Sequence, residues 1–491
     1  MKCDSSYTFS HKGESFRLNL ETLSSVIIDP ELPNPSESDS KRSGTYDNFG
    51  RAERTSDTLI KKIALNVAQK CNLGCVYCFA GDGSYGNAGT MNEYTAFRSV
   101  DWLIEQSQDE PNIAISFFGG EPLLNFSLIK KVVPYARENA NKANKKVSFN
   151  IVTNGTLLDD KNIHYFKENG VVVHVSFDGP KEIQDLQRPF KNGKGSYDAT
   201  LPRLKKLLSA LPESRCHAVV YDSSDIEQLR ESLTAIGFSE LHFMVPSTLS
   251  AEMPSASKGP TSGEELPKCN GQALGTYLGS NAAQKIPEVQ VSTLDQQGVA
   301  DRDHKDMMLR LETMADDLLA YIQQRDLRYF DKFARPYIRN RYRRMLKQMI
   351  TGTKIHFPDC GAGRKFMAVS CEGQVYPCHR FVGMEELTVG DVENGTLDRD
   401  PYVEGDAEIC DECKGCHAKY FCAGGCYYEN FSATGSAFEP DTEYCRLMKR
   451  MTELVAATYA RLTHEEKNFV IDGLNAVAIE AEKPSCPLDM F

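Results

Sequence analysis

The feature that most constrains this chain is the run Lys70-Cys71-Asn72-Leu73-Gly74-Cys75-Val76-Tyr77-Cys78-Phe79-Ala80. It carries three cysteines spaced C-x3-C-x2-C and follows the apolar, strand-like Ile63-Ala64-Leu65-Asn66-Val67. Spacing this tight lets three thiolates converge on one small object. A disulfide joins cysteines in twos, and a tetrahedral zinc site takes four donors. Three cysteines suit a four-iron cluster and leave one iron free for another ligand. A chance grouping or a zinc knuckle is the competing reading, so the flanking sequence matters.

The other cysteines point the same way. Of 16 in all, nine fall between residues 360 and 445. With 491 residues the chain has room for two or three domains and a large core. A net charge of −12 and a pI near 5.5 argue against a non-specific binder of nucleic acid or anionic membrane. No apolar run reaches the roughly 20 residues of a membrane helix. The start, Met1-Lys2-Cys3-Asp4-Ser5-Ser6-Tyr7, lacks the apolar core of a signal peptide. The expected location is the cytoplasm, where cysteines in this number mean metal or redox chemistry. Neither a nucleic acid nor a membrane is expected as a partner.

Residues 1–57 read as short strands within 7–29 and then a Pro/Ser/Gly-rich linker from Pro30. From residue 58, strand and helix alternate. Strands are expected over Ile60–Val67, Ile113–Phe118, Val147–Val152, Val171–Phe177, His217–Tyr221 and Leu241–Val245. Between them, helices are expected over Glu93–Gln106, Ser127–Ala140, Asp160–Asn169, Tyr197–Leu211 and Ile226–Ile236. Such βα repeats imply an α/β fold whose parallel sheet curls into a partial (β/α)6, TIM-like barrel over residues 58–350. Functional residues are then expected at the C-terminal ends of the strands. An insertion at 246–300 interrupts the pattern. The basic run Arg335–Arg344 reads as a helix face bridging two domains, or as a docking surface for an acidic peptide. Residues 351–450 are cysteine-rich, and 451–491 form a helical tail.

Phe118-Gly119-Gly120-Glu121-Pro122 closes the second strand. Its glycines let backbone approach a ligand closely, and Glu121 can accept a charge-assisted hydrogen bond from an ammonium group. Thr153-Asn154-Gly155 ends the third strand, and Ser176-Phe177-Asp178-Gly179-Pro180 the fourth, with Arg188 close behind. Asn154, Asp178 and Arg188 can bind a ligand, or can fix turns and pair with one another. In the cysteine-rich region, Cys360 and the run Gly373-Gln374-Val375-Tyr376-Pro377-Cys378 precede Cys413-Lys414-Gly415-Cys416, Cys422, Cys426 and Cys445. Cys371 sits at the turn of an expected hairpin and Cys410 adds a step to the ladder; either can be a ligand or a spare. Cys3, Cys216, Cys269 and Cys486 have no partner spacing and read as ordinary thiols.

The first cysteine loop with the Gly-Gly-Glu-Pro turn resembles the radical SAM superfamily. The later cysteines resemble the SPASM domain, C-x9–15-G-x4-C, then C-x2-C-x5-C-x3-C, then C. The resemblance implies S-adenosylmethionine and three 4Fe–4S clusters. It assigns the SAM cluster to Cys71, Cys75 and Cys78, and the SAM pocket to Tyr77, Phe79, Gly119, Gly120, Glu121, Asn154, Ser176, Asp178 and Arg188. It gives auxiliary cluster I to Cys360, Cys378 and Cys426, and auxiliary cluster II to Cys413, Cys416, Cys422 and Cys445. With only three protein ligands, cluster I would offer an open iron to a substrate thiolate.

Within the superfamily, Cys78–Gly86, Phe117–Asn125, Tyr376–Gly383 and Ala418–Cys426 look like the maturases that build peptide thioether bridges. These include SCIFF and ranthipeptide maturases and the enzyme that cross-links a quinohemoprotein amine dehydrogenase subunit. The implied partners are a ribosomally made precursor peptide or small protein subunit, and an electron donor such as flavodoxin or ferredoxin. Alternatives are C–C (cyclophane-type) cross-linking, a formylglycine-generating sulfatase maturase, and a non-catalytic iron–sulfur carrier or peptide scaffold. The sulfatase type carries an aspartate base just after the G-x4-C cysteine. Here that residue is His379, a candidate base or a structural hydrogen-bonding histidine.

Overall fold

In chain order the strands begin with β1 (Ser6–His11), β2 (Glu14–Asn19) and β3 (Ser24–Ile28), followed by β4 (Lys62–Gln69) and the short β5 (Gly89–Thr90). Next come β6 (Asn112–Gly119), β7 (Lys146–Thr153), β8 (Val171–Ser176), β9 (Arg215–Val219) and β10 (Glu240–Met244). The last are β11 (Phe366–Val369), β12 (Gln374–Tyr376), β13 (Gly390–Asp391) and β14 (Thr396–Leu397). The computed structural model describes residues 6–28, 58–220, 226–244, 311–325, 337–358, 360–404 and 411–480. The expected linker from Pro30 and the insertion at 246–300 lie outside these, as do Cys3, Cys269, Cys410 and Cys486.

Strands β4, β6, β7, β8, β9 and β10 are parallel neighbours in that order. They and the helices α1 (Glu93–Gln106), α2 (Phe126–Lys142), α3 (Asp160–Glu168), α4 (Lys181–Gln187), α5 (Tyr197–Ala210) and α6 (Ile226–Ile236) form an alternating α/β unit. Except for α4, which the pattern did not predict, the elements fall within two residues of the expected bounds. Local chemistry explains the sharp ends. Asn92 caps α1 by accepting from Thr95 N–H at 2.9 Å. Asp159 and Asn162 form a reciprocal capping box at α3.

Strand alternation sorts the two faces of the sheet. Leu65 pairs with Phe117, Ile115 with Phe149, Ile151 with Val173 and Val175 with Cys216, and all are buried in one core with the helices. The opposite face is polar. It carries Lys62, Asn66, the Ser116–Asn150 pair (2.6 Å) and the His174–His217 pair (2.9 Å).

At the β4 edge the sheet does not stop. Strand β11 pairs with β4 in parallel, Phe366 beside Lys62 and Ala368 beside Ala64, and β12, β13 and β14 extend it antiparallel. One mixed sheet therefore joins the α/β unit to the cysteine-rich region. β1–β3 form a separate antiparallel sheet that packs on the helix Thr442–Arg461. Phe16, Leu18, Tyr342, Met345, Met451 and Val455 share a second core there. The chain's beginning is thus anchored to its end. From Tyr337 on, the basic run lies in the helix Tyr337–Thr351, which turns Tyr342, Met345, Leu346 and Met349 into this core. Among the described residues no helix is long and apolar enough to cross a membrane.

Candidate functional site

The first cysteine loop leaves β4 and is held from two sides. Gly74 N–H donates to the Pro189 carbonyl (2.8 Å), Val76 N–H to Gln187 (3.0 Å) and Lys191 N–H to Asn72 (3.3 Å). The segment after α4 thus straps the loop down. From the other side, Gly120 N–H donates to Ala68 and Glu121 N–H to Lys70, both at 2.8 Å. Gly119 holds φ +128°, and a Cβ there would lie 2.2 Å from the Ala68 oxygen. A Cβ on Gly120 would lie 2.4 Å from the oxygens of Gly83 and Lys70. The Gly-Gly-Glu-Pro turn and the cysteine loop can touch only because both residues lack a side chain.

Asp178 is the charged hub behind the loop. Fully buried, it accepts from the Tyr77 hydroxyl (2.5 Å) and Val219 N–H (2.9 Å), and it pairs with Arg188 Nε at 3.0 Å. The Arg188 guanidinium lies 5.2 Å over the Tyr77 ring and reaches 3.8 Å from Cys75 Sγ. Burial opposes the charge of Arg188, but Asp178, Tyr77 and Cys75 outweigh it and hold its pKa above the ordinary arginine value. Burial, together with Asp178, keeps the Tyr77 phenol protonated.

Glu121 is also fully buried. One carboxylate oxygen accepts from Leu123 N–H (3.0 Å) and Thr153 Oγ1 (2.7 Å), the other from Asn154 N–H (2.8 Å). Burial pushes its pKa up to about 7 despite these donors. The carboxylate therefore ties the second strand end to the third. Asn154 Nδ2 donates to Asn72 (2.9 Å) and approaches Cys71 Sγ at 3.6 Å, while its Oδ1 accepts from Thr156. Asn72 in turn donates to Thr156 Oγ1 at 2.8 Å. Ser176 ends β8, half-buried and in register with His217. Phe79 meets Tyr85, His379 and Tyr428 edge-on, with ring centroids 5.7–6.4 Å apart.

Sequence reasoning missed Asn72, Thr156, Gly83 and Tyr85. The nearest signal was Gly81-Asp82-Gly83-Ser84-Tyr85-Gly86, a turn-rich run directly after the cysteines. A Cβ on Gly83 would lie 2.4 Å from Cys71 Cβ. Tyr85 is buried at φ +57°, and its hydroxyl has no hydrogen-bond partner among the described residues.

Burial pushes the thiols of Cys71 and Cys78 up to about 11 and that of Cys75 up to about 12, with Arg188 pulling the last two back. Neighbouring thiols this shielded become thiolates when a bound cation compensates them, which iron would do. The donor set therefore fits an iron–sulfur cluster. Among the described residues, no three His, Cys, Asp or Glu side chains sit together tightly enough to hold a single metal ion.

Further along, Cys360, Cys378 and Cys426 act on one another electrostatically, and burial raises the pKa values of Cys360 and Cys378. Cys416 and Cys445 act likewise on Cys422, which burial pushes up to about 12. Cys413 sits one turn before them, its carbonyl accepting from Cys416 N–H at 3.0 Å. The first trio belongs to the core of the α/β unit, and Cys416 and Cys422 border the second core. Cys371 stands elsewhere. Its thiol donates to the Asn66 carbonyl (2.9 Å) and its N–H to Gln69 (2.7 Å), at the β4–β11 junction. Cys216 donates to the Phe177 carbonyl within the core.

His379 is buried against Phe118 (centroids 4.6 Å apart), with Nδ1 at 3.7 Å from Cys378 Sγ. Burial lowers its pKa to about 3, helped by Arg380 and Lys62, so the imidazole is neutral near pH 7. Tyr427 and Tyr428, directly after Cys426, are buried with hydroxyls that no group among the described residues satisfies.

Residues 65–234 match the Radical SAM superfamily. An uncharacterized protein of Methanocaldococcus jannaschii, MJ0907, is 41% identical over 146 residues, 30% of this chain and 47% of that protein. A cysteine-type anaerobic sulfatase-maturating enzyme of Clostridium novyi is 31% identical over 152 residues, 30% of this chain and 39% of that enzyme. The chain thus spans less than half the length of these relatives. Among solved structures, native anSMEcpe with bound AdoMet and Cp18Cys peptide superposes with a TM-score of 0.57 at 20% identity. It covers 85% of this chain and 99% of that one, a likeness of fold. The chain therefore carries a radical SAM domain, an enzyme domain, over residues 65–234.

Proposed function

We propose that this protein is a radical SAM peptide maturase with three 4Fe–4S clusters, and that it installs thioether bridges between a cysteine sulfur and a carbon of its substrate. The observation that carries this reading is the β4–β11 pairing. The strand that delivers Cys71, Cys75 and Cys78 also anchors the region of Cys360, Cys378 and Cys426, so radical source and auxiliary site share one sheet. The reading includes a partial barrel with an open side and a C-terminal SPASM domain.

Cys71, Cys75 and Cys78 would hold the first cluster, which with S-adenosylmethionine would supply the radical chemistry that removes a hydrogen from a substrate carbon. The chain's own residues do the rest. Gly119, Gly120 and Glu121 fix the backbone that would meet the methionine ammonium. Asn154, Ser176 and Asp178 at the strand ends, and Arg188 after α4, would line the SAM pocket, with Tyr77 and Phe79 on its aromatic side. Cys413, Cys416, Cys422 and Cys445 would fully ligate the second auxiliary cluster. His379 packs beside Cys378, and the burial that lowers its pKa to about 3 suits a structural histidine better than a base for the substrate thiol. An external carrier such as flavodoxin or ferredoxin would reduce the first cluster in the cytoplasm.

A second reading, formylglycine formation, has the Clostridium novyi relative in its favour and His379 in place of the expected aspartate against it. One experiment separates them. The protein is co-expressed with a short cysteine-containing peptide encoded beside it, and the peptide's mass is measured. A bridge removes two hydrogens and leaves the cysteine unreactive to alkylation. A formylglycine appears as an aldehyde that reacts with hydrazides, and unchanged peptide counts against both.

A further inference from the structure

Cys426 caps the helix Tyr427–Thr434, and the two residues directly after it are buried tyrosines, 6% and 1% exposed. Their rings are firmly held. Tyr427 packs edge-on against Tyr402 (5.1 Å) and tilts against Phe438 (5.4 Å). Tyr428 lies against Phe381 (5.4 Å) and under the Arg380 guanidinium (3.8 Å), which is itself paired with Glu429. Yet neither hydroxyl has a hydrogen-bond partner among the described residues, although both are shut off from water. A buried hydroxyl without an acceptor is costly, and native proteins rarely tolerate one. Two on consecutive residues, directly after Cys426, call for an acceptor that the described residues do not supply. Tyr427, Tyr428 and Cys378 share one buried cluster with Cys360 and Cys426 packed against it, and these thiols lie within electrostatic range of the two phenols.

We propose that Tyr427 and Tyr428 donate their hydroxyl hydrogens to sulfurs of the cluster held by Cys360, Cys378 and Cys426, and so raise its reduction potential. This rests on the reading that these cysteines hold a cluster. Hydrogen bonds to cluster sulfurs are one of the protein's means of setting potential. A donor favours the reduced form because that form is more negative. The two tyrosines thereby make this cluster the more willing electron acceptor, beside the position where a substrate would be oxidised. They are positioning residues that act through the cluster.

The test uses the full chain, reconstituted anaerobically with iron and sulfide, in wild-type form and as Tyr427→Phe, Tyr428→Phe and the double variant. A Cys360→Ala/Cys378→Ala/Cys426→Ala variant identifies which EPR signal belongs to this cluster. Potentiometric titration should show the double variant harder to reduce by about tenfold in the equilibrium constant, about 59 mV for one electron. The Cys413-Cys416-Cys422-Cys445 cluster in the same sample should keep its potential. Resonance Raman gives a second readout: transfer to D2O should shift the Fe–S stretches of this cluster in the wild type and leave them unmoved in the double variant. An unchanged or raised potential, with the cluster present, overturns the inference alone. If the triple cysteine variant loses no iron and no signal, the cluster assignment itself fails and the inference falls with it.

Discussion

Replacing Asp178 with asparagine should loosen the strap that holds the first cysteine loop. The carboxylate sits at zero exposure between Tyr77, Val219 N–H and Arg188. Asparagine keeps the shape and can still accept from Val219, but it leaves the buried Arg188 charge uncompensated. Breaking a buried pair from one side costs about 3–5 kcal/mol. At about 1.4 kcal/mol per factor of ten, local opening becomes roughly a hundred to several thousand times more frequent. Arg188 follows Gln187 and precedes Pro189, whose carbonyls hold Val76 and Gly74. Hydrogen exchange followed by mass spectrometry should therefore show protection falling by about that factor in 71–80 and 181–194, with little change in α2. The double variant Asp178→Leu/Arg188→Met removes both charges and should recover most of the protection, because an apolar pair can replace a buried ion pair at little cost. A single-variant loss below about tenfold, or a double variant no better than the single, would refute the argument that this ion pair fastens the loop.

Other outcomes follow from single residues. Glu121 has an ordinary pKa of 4.5 when unfolded and about 7 when folded. The folded state thus binds its proton more tightly, and the stabilisation present below pH 4.5 is lost as pH rises through 7. Glu121→Gln escapes that loss, so unfolding titrations without ligand should favour the variant by roughly 3 kcal/mol more at pH 8 than at pH 4.5; parallel pH curves would count against it. Gly83→Ala, with its Cβ 2.4 Å from Cys71 Cβ and φ at +85°, should lower iron incorporation at the first site while the auxiliary sites fill normally. Cys371→Ala should leave iron content per chain unchanged, since its thiol serves the Asn66 carbonyl; loss of a cluster would show it to be a ligand.

Much of this was legible in the sequence because local signals were strong. Apolar patterning marked β4 and β6 to β10, and Asp159 with Asn162 starts α3 sharply. The family resemblance put Cys360, Cys378 and Cys426 in one set, and these three act on one another electrostatically. What was not legible depended on contacts distant in the chain. Nothing local in Phe366–Val369 says that it will pair with Lys62–Leu65, and nothing in Phe16 or Leu18 says that they will pack on Met451 and Val455. The strap was hidden for the same reason, because Pro189 and Gly74 meet only once the sheet has formed. Cys371 could not be separated from the ligand candidates by spacing; its partner, a backbone carbonyl of β4, is visible only in three dimensions.

The most direct measurement of the central claim is SAM cleavage by the reconstituted full chain under dithionite, with Cys75→Ser as the control. The account predicts 5′-deoxyadenosine from the wild type, none from Cys75→Ser, and continued cleavage when Cys360, Cys378 and Cys426 are replaced, since those serve the step after hydrogen abstraction. Absence of 5′-deoxyadenosine from an iron-loaded wild-type protein, or equal amounts from Cys75→Ser, would contradict it.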